Sequence, residues 1–178
     1  LHNLGATTTV ETTPTPPPAP PWHIADWLNT EAPLTLHALR GQVVVAYAFQ
    51  MLCPGCVSHA IPQLNAAHEW FAPRGVVVVG LHTVFEHHDA MTTTSLRAFL
   101  HENRVRCPIG VDAPAQNGDA MPQTMAAYRM QGTPTLLMID RVGNLRRQVF
   151  GHLPDLQLGA EITQLLLEGA APSSTEKI

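Results

Sequence analysis

Apolar positions along this chain fall alternately into short continuous runs and helical stripes. Val43–Phe49 is an unbroken β-branched and aromatic run, the signature of a buried central strand. A second such run covers 76–81, after the turn Pro73-Arg74-Gly75. Between them, 54–71 reads as a helix with Ala60, Leu64, Ala67 and Phe71 on one face. Pro62 is expected to kink it. Residues 22–28 and 34–39 read as short entry strands or turns around Pro33. Thr92, Thr93 and Thr94 offer N-cap hydroxyls for a helix to about residue 104, with Leu96, Phe99 and Leu100 facing inward. A short strand at 109–111, a loop at 114–118 and a short helix at 121–129 follow. Residues 135–140 and Leu145–Phe150 form a hairpin around Val142-Gly143-Asn144. The last helix starts near Pro154 and carries Leu158, Ile162, Leu165 and Leu166 on one face. The order β-α-β-α-β-α-β-β-α combines helix-linked parallel strands with a tight antiparallel hairpin. It predicts an α/β fold with a central mixed β-sheet flanked by helices on both faces.

The pattern lapses at both ends. Residues 1–21, with their threonines and the run Pro14-Thr15-Pro16-Pro17-Pro18-Ala19-Pro20-Pro21, read as a disordered tail or linker. Residues 22–168 read as one domain and 169–178 as a frayed tail. The full 178 residues suit one domain with a real core. A net charge of −4 steers the chain toward neither nucleic acid nor anionic membrane. No apolar run approaches the ~20 residues of a membrane helix, so no membrane insertion is expected in this chain. No Lys/Arg-led apolar stretch with a small-residue cleavage site opens it, so no signal peptide is visible. Cytoplasmic and periplasmic compartments both stay open.

Three cysteines are too few for a disulfide-stapled mini-domain. Cys53-Pro54-Gly55-Cys56 stands where a buried strand ends and a helix begins. Unpaired N–H groups and the positive dipole end there favour a thiolate on Cys53, and thiolate is the nucleophile of disulfide exchange. Cys56, one turn in, is placed to attack a mixed disulfide and release the substrate. Pro54 fits the first helical turn. A four-ligand zinc site would need a second pair, which Cys107-Pro108 does not supply. A structural staple across so short a loop would stabilise little. Cys107 reads as a buried inert thiol, with a third redox partner as the alternative.

With that strand and cysteine pair, the chain resembles the thioredoxin superfamily, most closely its TlpA-like and redoxin branch, which includes the peroxiredoxins. A second signature is Gly132-Thr133-Pro134-Thr135-Leu136-Leu137-Met138-Ile139-Asp140, followed by Gly143 and Phe150-Gly151. The resemblance spans residues 32–168 and implies a thioredoxin-like fold. It also implies that Pro134 is a cis-proline against the cysteine pair and that Thr133 presents its backbone to a bound peptide. The departures are Leu52 where the family usually has Trp, and a helix proline, Pro62, one residue later than usual. Peroxiredoxins carry a Pro and a Thr ahead of their reactive cysteine; here there is no such Pro, and Gln50 takes the place of the Thr.

Three further residues are candidates for proton transfer or for shaping the site. His59 lies one turn after Cys56, where some TlpA-like reductases hold a carboxylate. His82 and Glu86 belong to a crowded segment with His87, His88 and Asp89. Neighbouring His87 and His88 diverge and do not share a metal easily, and no ligand-spacing motif supports a metal site. The expected function is a thiol–disulfide oxidoreductase in which Cys53 attacks, Cys56 resolves, and Thr133 and Pro134 hold the substrate. No cofactor is expected, because the cysteines carry the electrons. The expected partners are disulfide-containing proteins and an electron donor or acceptor the sequence does not identify. Two rivals stay open: a thiol peroxidase using Cys53, and a Cu(I) metallochaperone gripping the metal with Cys53 and Cys56, aided by His82 or His88.

Overall fold

A computed structural model describes residues 15–116 and 121–168. Six strands form one sheet in the order β1-β4-β3-β2-β5-β6. They are β1 (Ile24–Leu28), β2 (Val43–Phe49), β3 (Val76–His82), β4 (Ile109–Asp112), β5 (Thr135–Ile139) and β6 (Leu145–Phe150). β2, β3 and β4 run parallel, while β5, β6 and the edge strand β1 are antiparallel to their neighbours. This is the mixed sheet that the element order predicts, arranged as the thioredoxin-like fold that the resemblance implies. The segment at 34–39 forms turns rather than a strand.

Every residue of β2 is buried, because helices cover both of its faces. Val43, Val45, Tyr47 and Phe49 point into the larger core layer, shared with α1 (Ile61–Phe71), α2 (Thr93–Glu102) and α4 (Asp155–Leu167). Ala46 and Ala48 point to the opposite layer, shared with Met125 of α3 (Gln123–Ala127), Tyr128 and Met130. Each Val, Leu or Phe buried in this way contributes about 1.5–3 kcal/mol. Beside the paired strands β2 and β4, a side chain at Gly80 would collide with those of Ile109 and Phe49. Gly75 takes the left-handed conformation, φ 83°, that turns the chain into β3. Among the described residues no helix is long and apolar enough to cross a membrane.

Two local features depart from expectation. The helix after the cysteine pair does not simply kink at Pro62. A π-helical turn, Cys56–Ala60, precedes α1, and the Ile61 N–H reaches back five residues to the Cys56 carbonyl. A proline lacks a donor and crowds the carbonyl four residues back; a widened turn relieves both. The segment 1–21, expected as a disordered tail or linker, is described from residue 15, and there it is tied to the domain. The Leu145 N–H donates to the Pro17 carbonyl (2.8 Å), and the Ala19 N–H to the Gly143 carbonyl (2.9 Å). The Tyr128 hydroxyl donates to the Pro20 carbonyl (2.7 Å). Residues 1–14 and the expected tail at 169–178 lie outside the described residues.

Candidate active site

β2 delivers the chain to the carboxyl end of the sheet, where a turn through Met51 and Leu52 leads into Cys53. The Cys53 carbonyl accepts the first helical bond, from the Val57 N–H (3.0 Å). Its Sγ accepts the Cys56 N–H at 3.2 Å. Cys53 thus occupies the N-cap of the helix, its sulfur where a Ser or Asp oxygen would otherwise meet the N3 amide. Pro54 sits at the first helical position, where a missing donor costs nothing. Cys53 is half-buried, Cys56 is fully buried, and both are free thiols.

β5 runs antiparallel to β2, so its first residues arrive beside the last residues of β2, with Thr135 opposite Ala48. The loop just before β5 therefore meets the cysteine turn. The Thr133–Pro134 bond is cis, and the Cys53 thiol donates to the Thr133 carbonyl at 3.4 Å. Pro134 Cδ lies 3.5 Å from where a side chain on Gly55 would begin, so the proline ring packs on the helix turn between the two cysteines. Burial raises the Cys56 thiol well above its ordinary value, while hydrogen bonds from the Gln50 backbone and the Thr133 side chain oppose the rise. Leu52 and Phe150 leave apolar surface exposed at this end of the molecule.

The other candidates fall around this centre at different removes. His59 is exposed on the π-helical turn, its ring 5.1 Å from that of His152; the groups on the Cys56 sulfur are Cys53, Gln50 and Thr133 instead. His82 lies buried at the end of β3 with its ring 5.3 Å from Phe49. Desolvation lowers its pKa to about 4, so it is neutral at physiological pH, and its Nε2 has no hydrogen-bond partner. Glu86 accepts from the Gln50 side chain at 3.5 Å. Among the described residues no three His, Cys, Asp or Glu side chains converge closely enough to hold a metal ion.

Gln50 itself was missed as a site residue. It is only 1 % exposed, and its amide bridges the cysteine turn, the loop after β3 and the cis-proline loop. Its place three residues before Cys53 is the one sequence signal that marks it.

The chain belongs to the AhpC/TSA family, whose model matches residues 18–148. Among solved structures, it is similar to a thioredoxin-like superfamily protein at 55% identity and TM-score 0.81, covering 86% of this chain and 97% of that one. It is also similar to a thiol-disulfide isomerase from Corynebacterium glutamicum at 43% identity and TM-score 0.78, covering 83% and 96%. A curated relative, NHL repeat-containing protein 2 of Gallus gallus, is 30% identical over 77% of this chain. The match spans 18% of that relative's length. Family and structural likeness together assign the chain to the redoxin branch of the thioredoxin superfamily.

Proposed function

We propose that this AhpC/TSA-family member exchanges disulfides with protein substrates through Cys53 and Cys56. The observation that carries the reading is the Cys53 sulfur, half-buried at a helix N-cap, holding the Cys56 N–H on one side and the Thr133 carbonyl on the other. In the reducing direction, the Cys53 thiolate attacks one sulfur of a substrate disulfide. A Cys53–substrate disulfide forms, and the other substrate sulfur leaves with the electron pair and takes up a proton. Cys56 gives up its proton to solvent and attacks Cys53 Sγ. The Cys53–Cys56 bond forms and the second substrate thiolate leaves, to be protonated in turn. The substrate gains two electrons and two protons, and an external dithiol resets the pair. Run backward, the same steps oxidise a substrate dithiol. The electrons reside in the cysteines, so the reaction needs no cofactor. Thr133 and Pro134 form the ledge on which the substrate chain lies, with Leu52 and Phe150 as its apolar flanks.

A thiol peroxidase centred on Cys53 is the competing reading, and the family of the chain favours it. Against it, the groups on the Cys53 sulfur are a carbonyl and one backbone N–H, whereas peroxide cleavage needs several donors around two oxygens. The test runs insulin disulfides and hydrogen peroxide in parallel on the full chain and on Cys56→Ser. Turnover of insulin by the wild type, with mixed disulfides trapped by Cys56→Ser, is the expected result. Rapid peroxide consumption by Cys56→Ser with an external thiol, and no trapped partner, overturns the reading.

A further inference from the structure

A cavity of about 480 Å³ opens at the carboxyl ends of β3 and β4, beside the loop that follows β3. Val84, Phe85, Met91 and Val111 give it apolar walls. Two buried polar side chains also line it, His82 at 1 % exposed and Asp112 at 6 %. Asp112 has its partners. The Thr83 hydroxyl donates to its Oδ2 at 2.7 Å, the Thr124 N–H to its Oδ1 at 2.8 Å and the Met125 N–H to its Oδ2 at 3.0 Å. His82 does not: its Nε2 is buried and meets no donor or acceptor. A buried polar atom without a partner costs stability. On the wall of a cavity, it marks where an incoming group supplies the partner that the chain itself lacks.

The cavity shares both the sheet end and the sheet face of the cysteine pair. His82 and Asp112 close β3 and β4, as Phe49 closes β2 just ahead of the cysteine turn. His82, Met91 and Cys56 belong to one core layer. The Phe85 N–H donates to Gln50 Oε1 at 3.2 Å, which ties the cavity wall to a residue of the cysteine turn. β3 lies between β2 and β4, so two strand spacings, roughly 10 Å, separate the turn from the cavity. An extended peptide covers that distance in about three residues. We infer that the cavity is a substrate subsite for a tyrosine standing about two to four residues from the reacting cysteine of a polypeptide disulfide, its ring on Phe85 and Met91 and its hydroxyl on His82 Nε2. The inference rests on the thiol–disulfide reading and names a feature of its substrate. A hydroxyl is the tip that fits, because it both donates and accepts and so pairs with Nε2 in either neutral tautomer. An aromatic ring suits the walls, since rings pack well on an aromatic neighbour and on a thioether. A cationic tip finds the Asp112 oxygens already engaged by three donors.

The test uses the reduced full chain and short peptides whose single cysteine carries 2-nitro-5-thiobenzoate in a mixed disulfide. Cys53 attacks the peptide sulfur and the Cys53–peptide disulfide forms. The nitrothiobenzoate thiolate leaves with the electron pair and is read by its colour. Each peptide carries tyrosine, phenylalanine, lysine or alanine at one position near the cysteine, on either side. At one such position tyrosine should raise the second-order rate constant about tenfold over alanine and about threefold over phenylalanine. His82→Phe should abolish the preference for tyrosine over phenylalanine and keep that for an aromatic over alanine. Ala25→Trp, on the exposed rim of the cavity, should bring both ratios to about one. Each ratio is internal to one protein, so a partly unfolded variant does not distort it. If no peptide releases its thiolate faster than with Cys53→Ser, the exchange reading fails and the subsite with it. Fast release that is equal for all four side chains leaves exchange standing and overturns the subsite. A preference for lysine overturns it by making Asp112 the group that reads the substrate, and so does a tyrosine preference that survives both variants.

Discussion

Cys56 and Cys107 are two buried thiols in one core layer, and they differ in what stands beside the sulfur. Cys56 is 0 % exposed and Cys107 1 %, and burial is the leading cause that pushes each thiol upward, Cys107 to about 12. Around Cys107 the opposing groups are backbone ones, from Gly80 and from its own residue. Around Cys56 stand a second thiol, a hydroxyl and the end of a central strand. Burial by itself makes a thiol inert. In the proposed exchange, what sets Cys56 apart is the half-buried Cys53 sulfur one helical turn away.

The largest effect that tests this contrast is on turnover. Cys56→Ser should lower the steady-state rate of insulin reduction on the order of 10³-fold, since the second bond exchange is lost. Cys107→Ser should stay within about twofold of the wild type. Comparable losses in the two variants would erase the distinction. The next effect is alkaline. The Cys107 thiol stays protonated in the fold above the pH at which it ionises in the unfolded chain. Its contribution is therefore complete below about pH 9 and lost as the pH rises toward 12, by at most about 4 kcal/mol. Urea midpoints against pH should fall less steeply in Cys107→Ala than in the wild type. If the slopes agree, burial does not govern Cys107.

The same rule applied to a base reverses the direction of pH. His82 is neutral in the fold and ionises near 6.5 when unfolded. Its lowered pKa means that the unfolded chain binds the extra proton first. Stability is retained above about 6.5 and lost as the pH falls toward 4, by at most about 3 kcal/mol. His82→Phe should flatten that acid limb in thermal melts. A limb as steep as the wild type's would move the effect to another group. The smallest effect is packing: Cys107→Ala should cost about 1 kcal/mol at neutral pH, read from the same urea curves. A loss well above that would make Cys107 a structural keystone and blur the contrast with Cys56.

What was legible in the sequence was local. A continuous apolar run followed at once by Cys53-Pro54-Gly55-Cys56 reads as strand, turn and helix because neighbouring residues decide those states. Gly132-Thr133-Pro134 could be recognised in the same way. What escaped depends on contacts between distant segments. Gln50 meets Phe85, Glu86 and Thr133 across separations of 35, 36 and 83 residues. Nothing in its own neighbourhood announces that. Pro62 stands one residue later than the family resemblance suggests; the π-helical turn ahead of it is a matter of backbone packing. That turn leaves His59 on the exposed face, where helical spacing from Cys56 had suggested a neighbour. Prolines 16–21 read as a spacer by composition, yet their carbonyls are acceptors, and the acceptors found donors on Leu145 and Tyr128.

That clasp also gives the molecule a front and a back. Pro18 pairs with Asn144 in the hairpin between β5 and β6, beside the first residues of β2, whereas Cys53 follows the last. The seven residues of β2 span about 20 Å at ~3.3 Å each. The proline segment is thus moored at the opposite end of β2 from the cysteine pair, and a pull on it loads the β5–β6 hairpin before it reaches Cys53.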